Sequence, residues 1–286
     1  MKRAILLVSI FTLLLPASAP AAAGTGDSFK GPLGLQLYSL RDSFSKDVPG
    51  TLKKVHDFGF RTVELAGNYG KTPEEFSALL KANGLKAVAG HFSFETFRDN
   101  PEAIAKEAKT LGLEWAGTAW APHSGQVTEA WAHETAKIFN HAGEVLARHG
   151  IKFFYHNHGY EFVPLADGTV FDVLVRETKP GLVYFEMDVM WTVFPGQDPA
   201  KLMEKYPDRW GLMHVKDLKK GVSTGSLAGS TDVRNDVVLG TGQTDWVALL
   251  RAAQKAGVKH YFIEDESPSV LEQIPQSLKF LENVKF

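Results

Sequence analysis

Residues 153–158 read FFYHNH, an apolar, strand-like run that ends in His156 and His158. Three later stretches follow the same plan. Residues 183–188 read VYFEMD and end in Asp188, residues 211–217 read GLMHVKD and carry His214, and residues 261–266 read YFIEDE and carry Glu264. In a closed parallel barrel the C-terminal tips of all strands converge on one mouth, so side chains distant in sequence meet there. A mixed imidazole and carboxylate set at such tips suits one divalent ion of the Mn, Co, Mg, Fe or Zn type.

Working outward, four earlier runs read as strands: LGLQLYSL (33–40), RTVELAG (61–67), KAVAGHF (86–92) and LEWAGTAW (113–120). Amphipathic stretches at 49–60, 72–84, 101–112 and 127–149 separate them, the second opened by Thr72 as N-cap and Pro73 in its first turn. Eight strands alternating with helices predict a single α/β domain, a (β/α)8 TIM barrel. No G-x-G-x-x-G follows the first strand, which argues against an open dinucleotide-binding sheet. Residues 219–238 are polar and rich in Gly and Ser, and a long loop of that kind predicts a lid over the mouth.

Lys2 and Arg3, an apolar run from Ala4 to Leu15 and the Ala21-x-Ala23 pattern predict a secretory leader over residues 1–23. A linker (24–31) and the barrel (32–286) follow. The mature protein is then expected in the periplasm or secreted, without a stable membrane anchor. The chain has no cysteine, which excludes disulfides, iron–sulfur ligation and a thiol nucleophile. A net charge of −2 without a basic stripe gives no footprint for nucleic acid. The expected partner is a small carbohydrate, and the oligomeric state is left open.

Alternation along a strand turns His156 and His158 inward and Asn157 away, so one can be a ligand and the other an orienter or substrate contact. Lys216 shares the parity of His214 and can polarise a carbonyl or hold an oxyanion. Gln36, Tyr38, Glu64 and His91 occupy early strand ends as candidate substrate contacts. Trp120 and Trp191 offer apolar faces for a sugar ring. The LGTGQTDW turn (239–246) presents backbone amides that can approach an anion.

Through YHNHGYEF, the MD of FEMDVMW, MHVKD, LGTGQTDW and FIEDE, the chain from about Pro32 to Phe286 resembles the xylose isomerase-like barrel superfamily. That superfamily includes sugar phosphate isomerases/epimerases, inosose dehydratases and endonuclease IV. The resemblance implies a metal held by His156 (or His158), Asp188, His214 and Glu264. Many keto-sugar epimerases carry a Glu at the fifth-strand position, where this chain has His156; Glu161 is the candidate to restore the carboxylate. Glu264, Glu161, His158 and Lys216 are the expected catalytic groups. The implied activity is a metal-dependent isomerase or epimerase that removes a proton alpha to a carbonyl of a free sugar, keto-sugar or cyclic polyol. A keto-sugar dehydratase, hydratase or lyase is the alternative, and a non-catalytic sugar-binding protein the second.

Overall fold

Short runs of aliphatic and aromatic residues with polar tips form the strands of this computed structural model, which describes residues 22–286. The expected leader lies outside the described residues except for its last two positions. The strands are β1 (Leu33–Gln36), β2 (Thr62–Leu65), β3 (Lys86–His91), β4 (Trp115–Thr118), β5 (Lys152–His156), β6 (Val183–Asp188), β7 (Trp210–Val215), β8 (Asp217–Leu218), β9 (Asp236–Val237) and β10 (His260–Ile263). Strands β1 to β7 and β10 close a parallel barrel, with β10 seated between β7 and β1. The domain is a single TIM barrel with helices between its strands.

Register, rather than nearness in sequence, assembles the mouth. Gln36 stands opposite Glu64, His156 opposite Glu186, and Asp188 opposite His214. Directly paired residues point to the same side of a sheet, so each pair enters the barrel together. Below them Phe154, Leu212, Phe262 and Trp115 plug the interior. Trp115 fits because Gly211 faces it: a Cβ there would sit 2.6 Å from the indole.

The opposite faces of the strands pack on the helices. Val63, Phe153 and Phe185 are fully buried there, and burial of such a side chain stabilises by roughly 1.5–3 kcal/mol. Thr72 and Glu75 form a reciprocal capping box that starts the helix Pro73–Ala82. Phe29, in the stretch expected to link leader and barrel, is buried edge-on against Tyr261. The Gly24 amide donates to Glu282 Oε1 at 3.2 Å, so this stretch packs on the domain.

Two strands are shorter than the sequence pattern predicts. Gln36 Oε1 accepts the Tyr38 amide and starts a 3-10 turn over Leu37–Leu40, which lifts Tyr38 to the rim. In the fourth strand Thr118 bonds to the Trp120 carbonyl and turns the chain out of the sheet. The expected lid is partly ordered by an antiparallel pairing of β8 with β9 and a 3-10 turn at Val233–Asn235. No helix among the described residues is long and apolar enough to cross a membrane.

Candidate active site

Above the aromatic plug lies a layer of buried charge. Glu64 Oε2 accepts from Gln36 Nε2 at 2.8 Å and from His214 Nε2 at 2.5 Å. Glu186 Oε2 accepts from His156 Nδ1 and from His91 Nε2, both at 3.1 Å. A carboxylate only accepts, so these contacts put a proton on His214 Nε2 and on His156 Nδ1. The second nitrogen of each ring is aimed at the mouth: His156 Nε2 keeps its lone pair, whereas His214 Nδ1, on a ring held charged, donates to Glu264 Oε2 at 3.2 Å.

Those mouth-facing nitrogens meet Asp188 and Glu264. Asp188 Oδ2 lies 3.8 Å from His156 Nε2 and 3.8 Å from His214 Nδ1, and Glu264 Oε2 lies 3.2 Å from His214 Nδ1. Asp188 Oδ2 is buried and has no hydrogen-bond partner among the described residues, while Oδ1 caps the next helix through the Trp191 amide. A buried carboxylate oxygen without a partner is costly. The 3.8 Å spacings are too long for hydrogen bonds, but two donors that share an ion at about 2.1 Å can stand up to about 4.2 Å apart. Asp188, His214 and Glu264 thus form a group able to hold a metal ion, with His156 beside it.

A second group, His91, His156, Glu186 and His214, also converges closely enough for an ion. It lies beneath the first, and its 3.1–3.3 Å contacts to Glu186 Oε2 have hydrogen-bond lengths. Both groups touch a cavity of about 460 Å³, the upper through Glu264 and the lower through His91 and His156, but in the upper the unpartnered Asp188 Oδ2 is spaced from two imidazoles for a shared ion rather than for hydrogen bonds. The donor chemistry of the upper group therefore fits a substrate-facing metal better, with Glu64 and Glu186 orienting its imidazoles.

Electrostatics follow from this burial. Burial opposes charging of His214, yet Glu186, Glu64 and Glu264 outweigh it and hold its pKa well above the usual value. His91 is pushed to about 9 in the same way, against burial, by Glu64 and Glu186. His156 falls to about 4 through burial and the adjacent His214. Burial lifts Asp188 to about 7 despite the attraction of Lys216. For Glu264 burial is overcome by Lys216 and His214, and its carboxyl is held well below the usual range.

Lys216 is fully buried, with Nζ 3.1 Å from Glu264 Oε2, 2.5 Å from Glu266 Oε1 and 3.8 Å from Asp236 Oδ2. Burial disfavours its charge, but these carboxylates keep its pKa well above normal. His158 lines the cavity and packs against Trp191 at 5.9 Å between ring centroids. Its Nδ1 has no partner among the described residues, and burial together with His156 keeps the ring neutral.

Not every expected residue reaches the cavity. Glu161 is fully buried in the wall, where it accepts from the Tyr155 hydroxyl at 2.5 Å and the His158 amide at 3.0 Å. The 3-10 turn at Tyr160–Phe162 aims it there, so it braces the His158 loop and does not join the metal ligands. Gln36, Tyr38, His91 and Trp191 line the cavity, Glu64 lies beneath it, and Trp120 lines an adjoining groove. Asp236 and Thr231 of the lid line the cavity without having been expected there. Glu186 was also missed, although its parity with Asp188 was a usable signal. The amides of Gly240 and Gly242 in the LGTGQTDW turn both donate to Asp217 Oδ2, as does Trp246 Nε1.

The profile of the xylose isomerase-like TIM barrel family matches residues 52–284. The chain belongs to this family. It is 23% identical over 207 residues to an inosose dehydratase of Geobacillus kaustophilus, an alignment covering 64% of this chain and 65% of that one. This xylose isomerase-like barrel also superimposes on a solved sugar phosphate isomerase/epimerase of Parabacteroides distasonis with a TM-score of 0.73. The two are 25% identical, over 93% of this chain and 96% of the other. A solved IOLI protein with a bound zinc atom shares the fold at 13% identity and a TM-score of 0.66, covering 87% of this chain and 95% of its own.

Proposed function

We propose that this barrel is a metal-dependent carbon–oxygen lyase acting on a keto-sugar or a ring ketone of a cyclic polyol, through removal of the proton alpha to the carbonyl. The observation that carries this reading is the orientation of Glu161. A two-faced epimerisation is best served by a pair of carboxylates across the ring, and the candidate second carboxylate is turned into the wall. What lines the cavity instead is unlike: the neutral imidazole of His158 beside the charged pair of Lys216 and Glu264.

Asp188, His214 and Glu264, with His156, would hold a divalent ion, which when bound polarises a carbonyl and steadies developing negative charge. His158, which lines the cavity with a neutral ring, is the candidate general base for the alpha proton. The resulting imidazolium can hand that proton to the departing beta hydroxyl, so the C–H and C–O bonds break, a C=C bond forms and water leaves. Lys216, whose ammonium is held charged by its carboxylates, suits an oxyanion better than it suits proton donation. The name of the curated relative, inosose dehydratase, supports an elimination.

A second reading, isomerisation or epimerisation, is favoured by the name of the Parabacteroides distasonis neighbour. Incubating metal-loaded protein with keto-sugars and inososes in deuterium oxide separates the two. Elimination yields a product lacking one water, with a conjugated C=C visible by NMR. Isomerisation yields unchanged composition with one deuterium on the alpha carbon. Ligands recovered unchanged and undeuterated, although bound, would leave a sugar-binding protein.

Export belongs to the same proposal and rests on the residues from Lys2 to Ala23. Mass spectrometry of protein recovered from the periplasm should find an N-terminus at Gly24. Intact Met1 there would refute it.

A further inference from the structure

The two tryptophans that the sequence offers to a single sugar ring lie in different compartments. Trp191 is only 5% exposed and forms part of the wall of the cavity, packed between His158 and the Lys216 ammonium, 5.8 Å from its ring centroid. Trp120 lines a separate groove of about 350 Å³ together with Phe92, Ser93, Glu95 and Thr118. Cavity and groove share His91 and Ala119, so one ligand can run from the first into the second. Each volume falls within the roughly 300–1,000 Å³ typical of small-molecule sites.

Trp120 is 46% exposed, which is high for so large an apolar side chain. Its exposure does not come from a loose loop. The indole packs on His123 at 4.8 Å and on Tyr160 at 4.9 Å between centroids. Its carbonyl accepts from Thr118 Oγ1, and the next amide, of Ala121, donates to the Tyr160 hydroxyl. A rigid, supported aromatic ring left open beside a site is suited to stack on a flat apolar face. The polar side chains of Glu95 and Ser93 along the same groove suit a face edged with hydroxyls rather than a purely hydrocarbon group.

We infer that the substrate carries a second pyranose ring: the reacting ring occupies the cavity above Asp188, His214 and Glu264, and a glycosidically linked ring lies in the groove on Trp120. This rests on the carbohydrate reading of the cavity and deepens it from a monosaccharide to a disaccharide-sized ligand. Aromatic stacking of this kind is expected to strengthen binding roughly tenfold over the single ring.

The test is calorimetric titration of the metal-loaded protein with glucose, cellobiose, laminaribiose, maltose, phenyl β-glucoside and their enzymatically oxidised keto derivatives. At least one disaccharide should bind about tenfold tighter than its single ring. Trp120→Ala should bring that ratio close to one, and Trp120→Phe, which keeps a ring, should give a value between. Equal affinity of one-ring and two-ring ligands, or a ratio that survives Trp120→Ala, overturns the second ring while leaving the carbohydrate reading intact. A gain confined to phenyl β-glucoside and its keto derivative overturns the pyranose assignment in favour of an aryl group. Absence of binding across the whole panel overturns this inference together with the carbohydrate reading.

Discussion

Glu186 Oε2 stands 3.1 Å from His156 Nδ1, and this contact decides which face of the imidazole looks toward Asp188. Replacing Glu186 with Gln keeps the shape but removes the charge that fixes the tautomer. Metal affinity should fall by about 10–100-fold, the usual effect of losing such an orienting partner. Competition against a chelating dye measures it, and unchanged affinity would remove Glu186 from this role.

Asp188 and His214 are expected to be indispensable for the ion. Asp188→Ala and His214→Ala should each be purified without stoichiometric metal while keeping the far-ultraviolet circular dichroism of the barrel. Elemental analysis decides the matter. Full metal content in Asp188→Ala, with loss only in His214→Ala, which belongs to both groups, would transfer the ion to the lower group around His91 and Glu186, and full content in both variants would remove both groups as the site.

Much of the upper group is legible in the sequence. His156, Asp188, His214 and Glu264 stand at the ends of apolar runs, and barrel closure makes strand ends meet. Glu186 was overlooked because it lies within its strand rather than at the tip, although alternation sends it inward with Asp188. Glu161 misled in the opposite way. Its position close after the tip suggests the mouth, but a single 3-10 turn rotates it onto Tyr155. Sequence pattern carries no information about such a rotation, nor about the groove that separates Trp120 from Trp191.

Burial raises the Glu161 carboxyl to about 7, only partly opposed by its bonds to Tyr155 and the His158 amide. A carboxyl whose folded pKa exceeds its unfolded value of about 4.3 gives stability that is present below the unfolded value and lost as pH rises through the folded one. Stability should therefore fall between about pH 4.3 and 7 on account of this residue, by a few kcal/mol at most. Glu161→Gln should flatten that segment of the profile in urea titrations. Parallel profiles for the two proteins would refute the assignment.

Lys216 neutralises Glu264, Glu266 and Asp236 from a fully buried position. Lys216→Met removes the buried cation these carboxylates share, leaving Glu264 with His214 and Glu266 with Arg41 at 3.9 Å, and loss of one partner of a buried pair typically costs about 3–5 kcal/mol. Thermal unfolding should show a larger loss for Lys216→Met than for Glu266→Gln, whose carboxylate is partly exposed. Equal losses would mean that solvent already screens the cluster.

The Gly240–Gly242 turn resembles a small anion cradle, yet it is filled from within. Asp217 takes the amides of Gly240 and Gly242 and the indole N–H of Trp246, and a Cβ on Gly242 would lie 2.2 Å from its Oδ1. A phosphoryl group brought to this turn would have to displace a fixed negative charge and would be repelled by it. The chain thus carries its own resident anion at that position, and the turn serves to tie the start of the helix Trp246–Ala256 to β8 rather than to offer its amides to a ligand.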